Sequence, residues 1–117
     1  MKSMSVERTF DKDAEDFAQV YAQVDIESRE LAQRVRDENV KFKVVGIKIR
    51  LKGFQTFTRE TSLTGFTDSE DTMRREARVL MKEFEYKQKP VRLVGVRVSH
   101  LKREKSESTR LDEWASE

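Results

Sequence analysis

The sequence predicts an α+β domain of order β-α-β-β-α-β, in which a four-stranded sheet carries two helices on one face and leaves the other face open and basic. Three observations support this. Four stretches alternate apolar and polar residues with the two-residue period of a strand, and two stretches between them repeat apolar residues at helical spacing. Cations gather in the strand segments, while acids gather in the first helix. At 117 residues the chain has the length of one domain.

The first strand is expected over residues 2–10. Met4, Val6 and Phe10 share one face, and Ser3, Ser5, Glu7 and Thr9 share the other. Asp11 or Asp13 then offers an N-cap. From Asp13 to about Glu38, Ala14, Phe17, Tyr21, Val24, Leu31 and Val35 recur at helical spacing, which predicts a long amphipathic helix. Residues 42–51 alternate again, with Val45, Ile47, Ile49 and Leu51 inward. Lys52-Gly53 is a turn signal, and the stretch from Phe54 to Leu63, rich in threonine and phenylalanine, reads as the third strand. Thr64-Gly65-Phe66 is expected to be a loop. Thr67 to Glu70 has capping-box spacing and opens a second helix to about Tyr86, with Met73, Ala77, Leu80, Met81 and Phe84 on one face. Pro90 starts the fourth strand, Val91 to Ser99. Residues 2–101 form the expected domain, and the charged segment 102–117 reads as a flexible tail or linker. Right-handed crossovers put both helices on one sheet face.

Two strands share one design. Val45-Gly46-Ile47-Lys48-Ile49-Arg50 aligns with Val94-Gly95-Val96-Arg97-Val98-Ser99 as apolar, glycine, apolar, cation, apolar, polar. By alternation the glycines and cations leave the core. Gly46 and Gly95 have two readings, as packing or bulge glycines and as places where a sugar-phosphate backbone comes close. Lys48, Arg50 and Arg97, with the hydroxyls of Thr9, Thr56, Thr58 and Ser99, are the group types that hold phosphates.

Net charge is only +2, and charged residues make up 39% of the chain. Distribution matters more. Segment 11–38 holds nine acids against four bases, segment 39–59 six bases and no acid, and segment 87–105 seven bases and the single acid Glu104. An acidic helical side and a basic sheet side would orient a polyanion toward the open sheet. With no cysteine and one histidine, His100, disulfides, thiolate metal sites and multi-histidine clusters are excluded. No apolar run is long enough to span a bilayer, so no membrane partner is expected. There is no nucleophile beside a base and no phosphate-cradling glycine loop, so no catalytic residue is assigned. A reader of single-stranded RNA on such a sheet needs aromatics on its open face. Lys52-Gly53-Phe54 begins such a motif, but Gln55 and Thr56 end it, which favours phosphate tracking on a duplex. Phe54 and Phe57 are expected in core or edge packing.

These residues together resemble the little-finger domain of Y-family, lesion-bypass DNA polymerases of the polymerase IV type. The likeness runs through Lys2 to Phe10, Val45 to Arg50, Phe54 to Arg59 and Pro90 to Ser99, and covers about residues 2–101. It implies strand order 1-4-2-3 and an open face lying in the major groove of a template–primer duplex. By resemblance, Arg92 and Arg97, Thr58 and Arg59, and Thr9 fall where phosphates are contacted. Arg92 shares the parity of the inner valines, so it must reach the open face through a bulge beside Pro90. The family's catalytic carboxylates and their Mg²⁺ belong to a separate palm domain that nothing here matches. The chain is therefore expected to be an excised piece without polymerase activity or a cofactor of its own, partnered with the catalytic core of its parent in the cytoplasm, at the nucleoid. Such polymerases often end in a sliding-clamp peptide. Leu111 and Trp114 keep its aliphatic-to-aromatic spacing, while Ser108 and Ala115 depart from it. From a different class, the open basic face could instead dock an acidic protein.

Overall fold

The computed structural model describes residues 3–103. Its elements are β1 (Met4–Ala14), α1 (Phe17–Asp37), β2 (Val40–Leu51), β3 (Thr56–Thr67), α2 (Glu70–Glu85), β4 (Val91–Ser99) and the two-residue β5 (Lys102–Arg103). The sheet order is β1-β4-β2-β3 with antiparallel neighbours throughout, so β1 and β2 run parallel on either side of β4. That is what a helical crossover between β1 and β2 requires. Lys102 and Arg103, expected in the tail, pair with Lys41 and Val40 at the start of β2. Leu111 and Trp114 lie outside the described residues.

One sheet face carries the core. Val6 of β1, Val94, Val96 and Val98 of β4, and Val45, Ile47 and Ile49 of β2 are buried in register with one another. Against them α1 lays Val20, Val24, Leu31, Ala32 and Val35, and α2 lays Met73, Ala77, Met81 and Phe84. The helices are tied to each other by Arg78 of α2, whose Nε and Nη2 donate to the Asp25 carboxylate at 2.8 and 2.9 Å. The Tyr21 hydroxyl donates to Glu85 at 3.0 Å.

Several element ends differ from the sequence expectation. The N-cap of α1 is Asp16. Its Oδ1 accepts from the Ala18 amide at 3.0 Å, and the Gln19 side chain accepts from the Asp16 amide. Asp11 and Asp13 belong instead to the end of β1, which continues through an irregular register so that Ala14 pairs with Val91. The N-cap of α2 is Ser69, whose Oγ accepts from the Thr72 amide at 3.1 Å. Thr67 takes the outer role, accepting from the Ser69 amide. The segment Thr64-Gly65-Phe66 stays in β3 beyond a register shift that pairs Phe42 with Thr67. Phe57 packs on Phe84 as expected, with ring centroids 5.3 Å apart. Phe54 stays outside the core: it closes the β2–β3 turn with φ of 68° and is 68% exposed.

Candidate nucleic-acid interface

The helix-free face of the sheet is an ordered grid, because alternation selects the residues and strand register sets them side by side. Ser5, Arg97, Gly46 and Glu60 form one row across β1, β4, β2 and β3. Glu7, Gly95, Lys48 and Thr58 form the next, and Thr9, Leu93, Arg50 and Thr56 the third. Ser99, Val44 and Ser62 begin a fourth row on the far side of Arg97. The repeated design of β2 and β4 thereby becomes reciprocal. The glycine of each strand faces the cation of the other, Gly46 against Arg97 and Gly95 against Lys48.

The glycines open a furrow of about 490 Å³ along the first two rows. A Cβ at Gly95 would stand 3.1 Å from the Glu7 Cβ and 3.4 Å from the Lys48 Cβ. One at Gly46 would stand 3.2 Å from the Arg59 carbonyl oxygen. The packing reading of these glycines holds, and the bare positions lower the floor between the cations. Lys48 uses that room, crossing Gly95 to place its Nζ 3.3 Å from Glu7 Oε1. Arg50 Nε donates to Thr56 Oγ1 at 2.9 Å. Arg97 is the exposed residue of β4 and makes no ion pair or side-chain hydrogen bond among the described residues. In the other rows Thr9, Thr56 and Thr58 are exposed, and Ser99 is half-buried.

Arg92 joins this face through a bulge. Leu93 pairs with Arg50 and Val91 with Leu51, so Arg92 and Leu93 together oppose Arg50. The extra residue breaks the parity that would have put Arg92 under the helices. Its guanidinium carbon lies 4.8 Å from the ring centroid of Phe54 at the turn. Arg59 requires a correction. Its parity is that of Phe57 and Thr61, and its side chain goes to the helix side. There Nε and Nη2 donate to Glu83 of α2 at 3.0 and 3.2 Å, over the Phe84 ring. Only the backbone of Arg59 can border the furrow.

Sequence reading put Glu7 on the outer face but missed Glu60. Both stand in the rows with the cations, so the face holds Lys48, Arg50, Arg92 and Arg97 against two acids. Alternation within β1 and β3 is the signal that locates them. Among the described residues no cluster of His, Cys, Asp or Glu could hold a metal ion. No helix among them is long and apolar enough to cross a membrane.

Comparison with known proteins agrees with this architecture. The model of the impB/mucB/samB family C-terminal domain matches residues 1–111. DNA polymerase IV of Methanoculleus marisnigri is 36% identical over 115 residues, which is 98% of this chain and 32% of that protein. DNA polymerase IV of Halobacterium salinarum is 35% identical over 100 residues, 86% of this chain and 24% of that protein. The chain thus spans a third or less of these relatives. Among solved structures, the fold resembles a complex of beta-clamp processivity factor and little finger domain of PolIV, with a TM-score of 0.69 at 23% identity over 94% of this chain and 98% of that one. It also resembles a post-insertion binary complex of Dbh DNA polymerase, with a TM-score of 0.74 at 13% identity over 87% of this chain and 29% of that one. The chain belongs to the impB/mucB/samB family C-terminal domain.

Proposed function

We propose that this domain grips a template–primer duplex in its major groove for a translesion DNA polymerase. It does so by sequence-independent phosphate contacts, and so keeps the catalytic core on DNA. The observation that supports this best is the reciprocal pairing of glycine and cation on β2 and β4. A polyanion can lie in the furrow against backbone, with Arg97 and Lys48 on alternate sides and Arg50 and Arg92 further along. Threonine hydroxyls and cations position a phosphate backbone but do not read sequence. The rows themselves carry no aromatic ring, which fits a duplex better than a stacked single strand. Glu7 and Lys48 are both well exposed, so their pair contributes at most about 1 kcal/mol and yields readily to a phosphate.

In this reading the parent protein supplies the palm, its carboxylates and Mg²⁺, and this domain supplies residence time. The parent works at the nucleoid. The structural relative whose chain is a little finger was solved with a beta clamp, which supports a sliding clamp as a second partner. The competing reading, an open basic face that docks an acidic protein, is separated by titrating the domain with primer–template duplex, single strand and heparin across a salt series. Duplex binding that weakens steeply with salt supports the grip. Binding to none of the three, with capture of an acidic protein, contradicts it.

A further inference from the structure

The open face does not end at the furrow. Beyond the row of Arg97, the residues Glu60, Phe66, Arg97, Ser99, His100 and Leu101 line a second hollow of about 500 Å³. It shares Arg97 and Glu60 with the furrow, so the two adjoin. Its chemistry differs. Phe66 is an aromatic ring left 42% exposed. The ammonium groups of Lys43 and Lys102 lie 5.7 and 5.5 Å from its ring centroid. Glu60 forms no ion pair among the described residues, and a carboxylate is the wrong group for a phosphate.

We propose that this hollow is a nucleobase subsite that takes one unpaired base of a DNA strand leaving the duplex held in the furrow. The base stacks on Phe66. Glu60 accepts a hydrogen bond from an exocyclic amine of the base, as carboxylates do from cytosine N4. Lys43 and Lys102 then turn to the flanking phosphates. Magnitudes favour the exchange. Each exposed cation–π contact is weak, and a base stacked on an aromatic side chain is held more strongly than either ammonium group. The two lysines gain phosphate partners when they leave the ring, which offsets the two weak contacts that the base replaces. Glu60 and Arg97 border both hollows, so what sets this one apart is the exposed Phe66 ring, which gives a base a face to stack on.

This inference rests on the duplex-gripping reading for where the strand comes from, but its test stands apart. The full chain is titrated with a blunt duplex, with the same duplex carrying a short single-stranded overhang that contains 2-aminopurine, and with the overhang oligonucleotide alone. The wild-type chain should bind the overhang duplex about 5- to 20-fold more tightly than the blunt one, and should quench 2-aminopurine emission in both substrates that contain it. Phe66→Leu should abolish the quenching and the overhang preference while leaving blunt-duplex affinity unchanged. Phe66→Tyr should retain both. Loss of blunt-duplex binding in the wild type contradicts the furrow reading, and the oligonucleotide alone still decides the subsite. Equal affinities for blunt and overhang duplexes, or quenching that survives Phe66→Leu, would overturn the subsite.

Discussion

At the scale of single residues, two carboxylates stand out because each lies where its charge is unwelcome. Glu7 sits among the cations of the open face and holds Lys48 at 3.3 Å. It repels an incoming phosphate and occupies a group that would bind one. Glu7→Gln should therefore strengthen duplex binding by about 2- to 5-fold at low salt, the scale of one exposed ion pair. Filter binding or anisotropy at matched ionic strength checks this, and a weaker complex would mean that Glu7 positions Lys48 productively. Glu27 lies on the buried side of α1, fully removed from solvent. Burial pushes its carboxyl up to about 8, against the opposing effects of the Gln23 hydrogen bond and Arg8; Glu30 and Glu7 add to the rise. One of its oxygens accepts from Gln23 Nε2 at 2.9 Å, and the other has no partner. The folded state thus holds a proton that the unfolded chain releases above its ordinary carboxylate value. Stability is full below about pH 4.5 on this account and falls as pH rises toward 8, by on the order of 5 kcal/mol. Thermal melts of wild type and Glu27→Gln between pH 5 and 9 should show the slope in the first and its loss in the second, with the variant the more stable at pH 9.

At the scale of elements, much was legible in the chain, and its misses have physical causes. Alternation gave the inner and outer faces of β1, β2 and β4, since a two-residue period survives without knowledge of partners. Register did not follow from it. Nothing in Val45–Arg50 or Val94–Ser99 taken singly says that Gly46 would face Arg97, because that depends on how far two distant strands slide past each other. The bulge at Arg92 was inferred from a clash between parity and family likeness, and the register contains it. Arg59 shows the reverse: parity with Phe57 already put its side chain under α2, and family likeness drew it to the wrong face. Phe66 was hidden by a glycine that read as a loop, whereas β3 absorbs it in an irregular register. The glycine pair makes an element-scale prediction. Gly46→Ala presses a methyl against the β3 backbone at Arg59, where no flexible side chain can yield. It should cost about 1–3 kcal/mol of stability, read by urea unfolding. At Gly95 the neighbours are the Cβ atoms of Glu7 and Lys48, at 3.1 and 3.4 Å, which move only with their strands, so Gly95→Ala should cost a similar amount of stability and also raise the furrow floor and weaken duplex binding.

At the scale of the whole molecule, the sheet separates two chemistries. Its inner face is a valine and isoleucine layer under two clamped helices, and its outer face is a grid of cations, hydroxyls and bare backbone. Because the acids of segment 11–38 fall largely on the far side, the small net charge of +2 conceals a directed field. Counterion release measures this field. If about five phosphates are engaged, log affinity for duplex DNA should fall against log salt with a slope of roughly −4 to −5. The most direct test of the grip is that slope in the wild type, in Arg97→Ala and in Arg92→Ala combined with Arg97→Ala. Each lost arginine should flatten the slope by about one unit, whatever the duplex sequence. A slope unchanged in the double variant, or a loss of affinity confined to one sequence, would contradict the account.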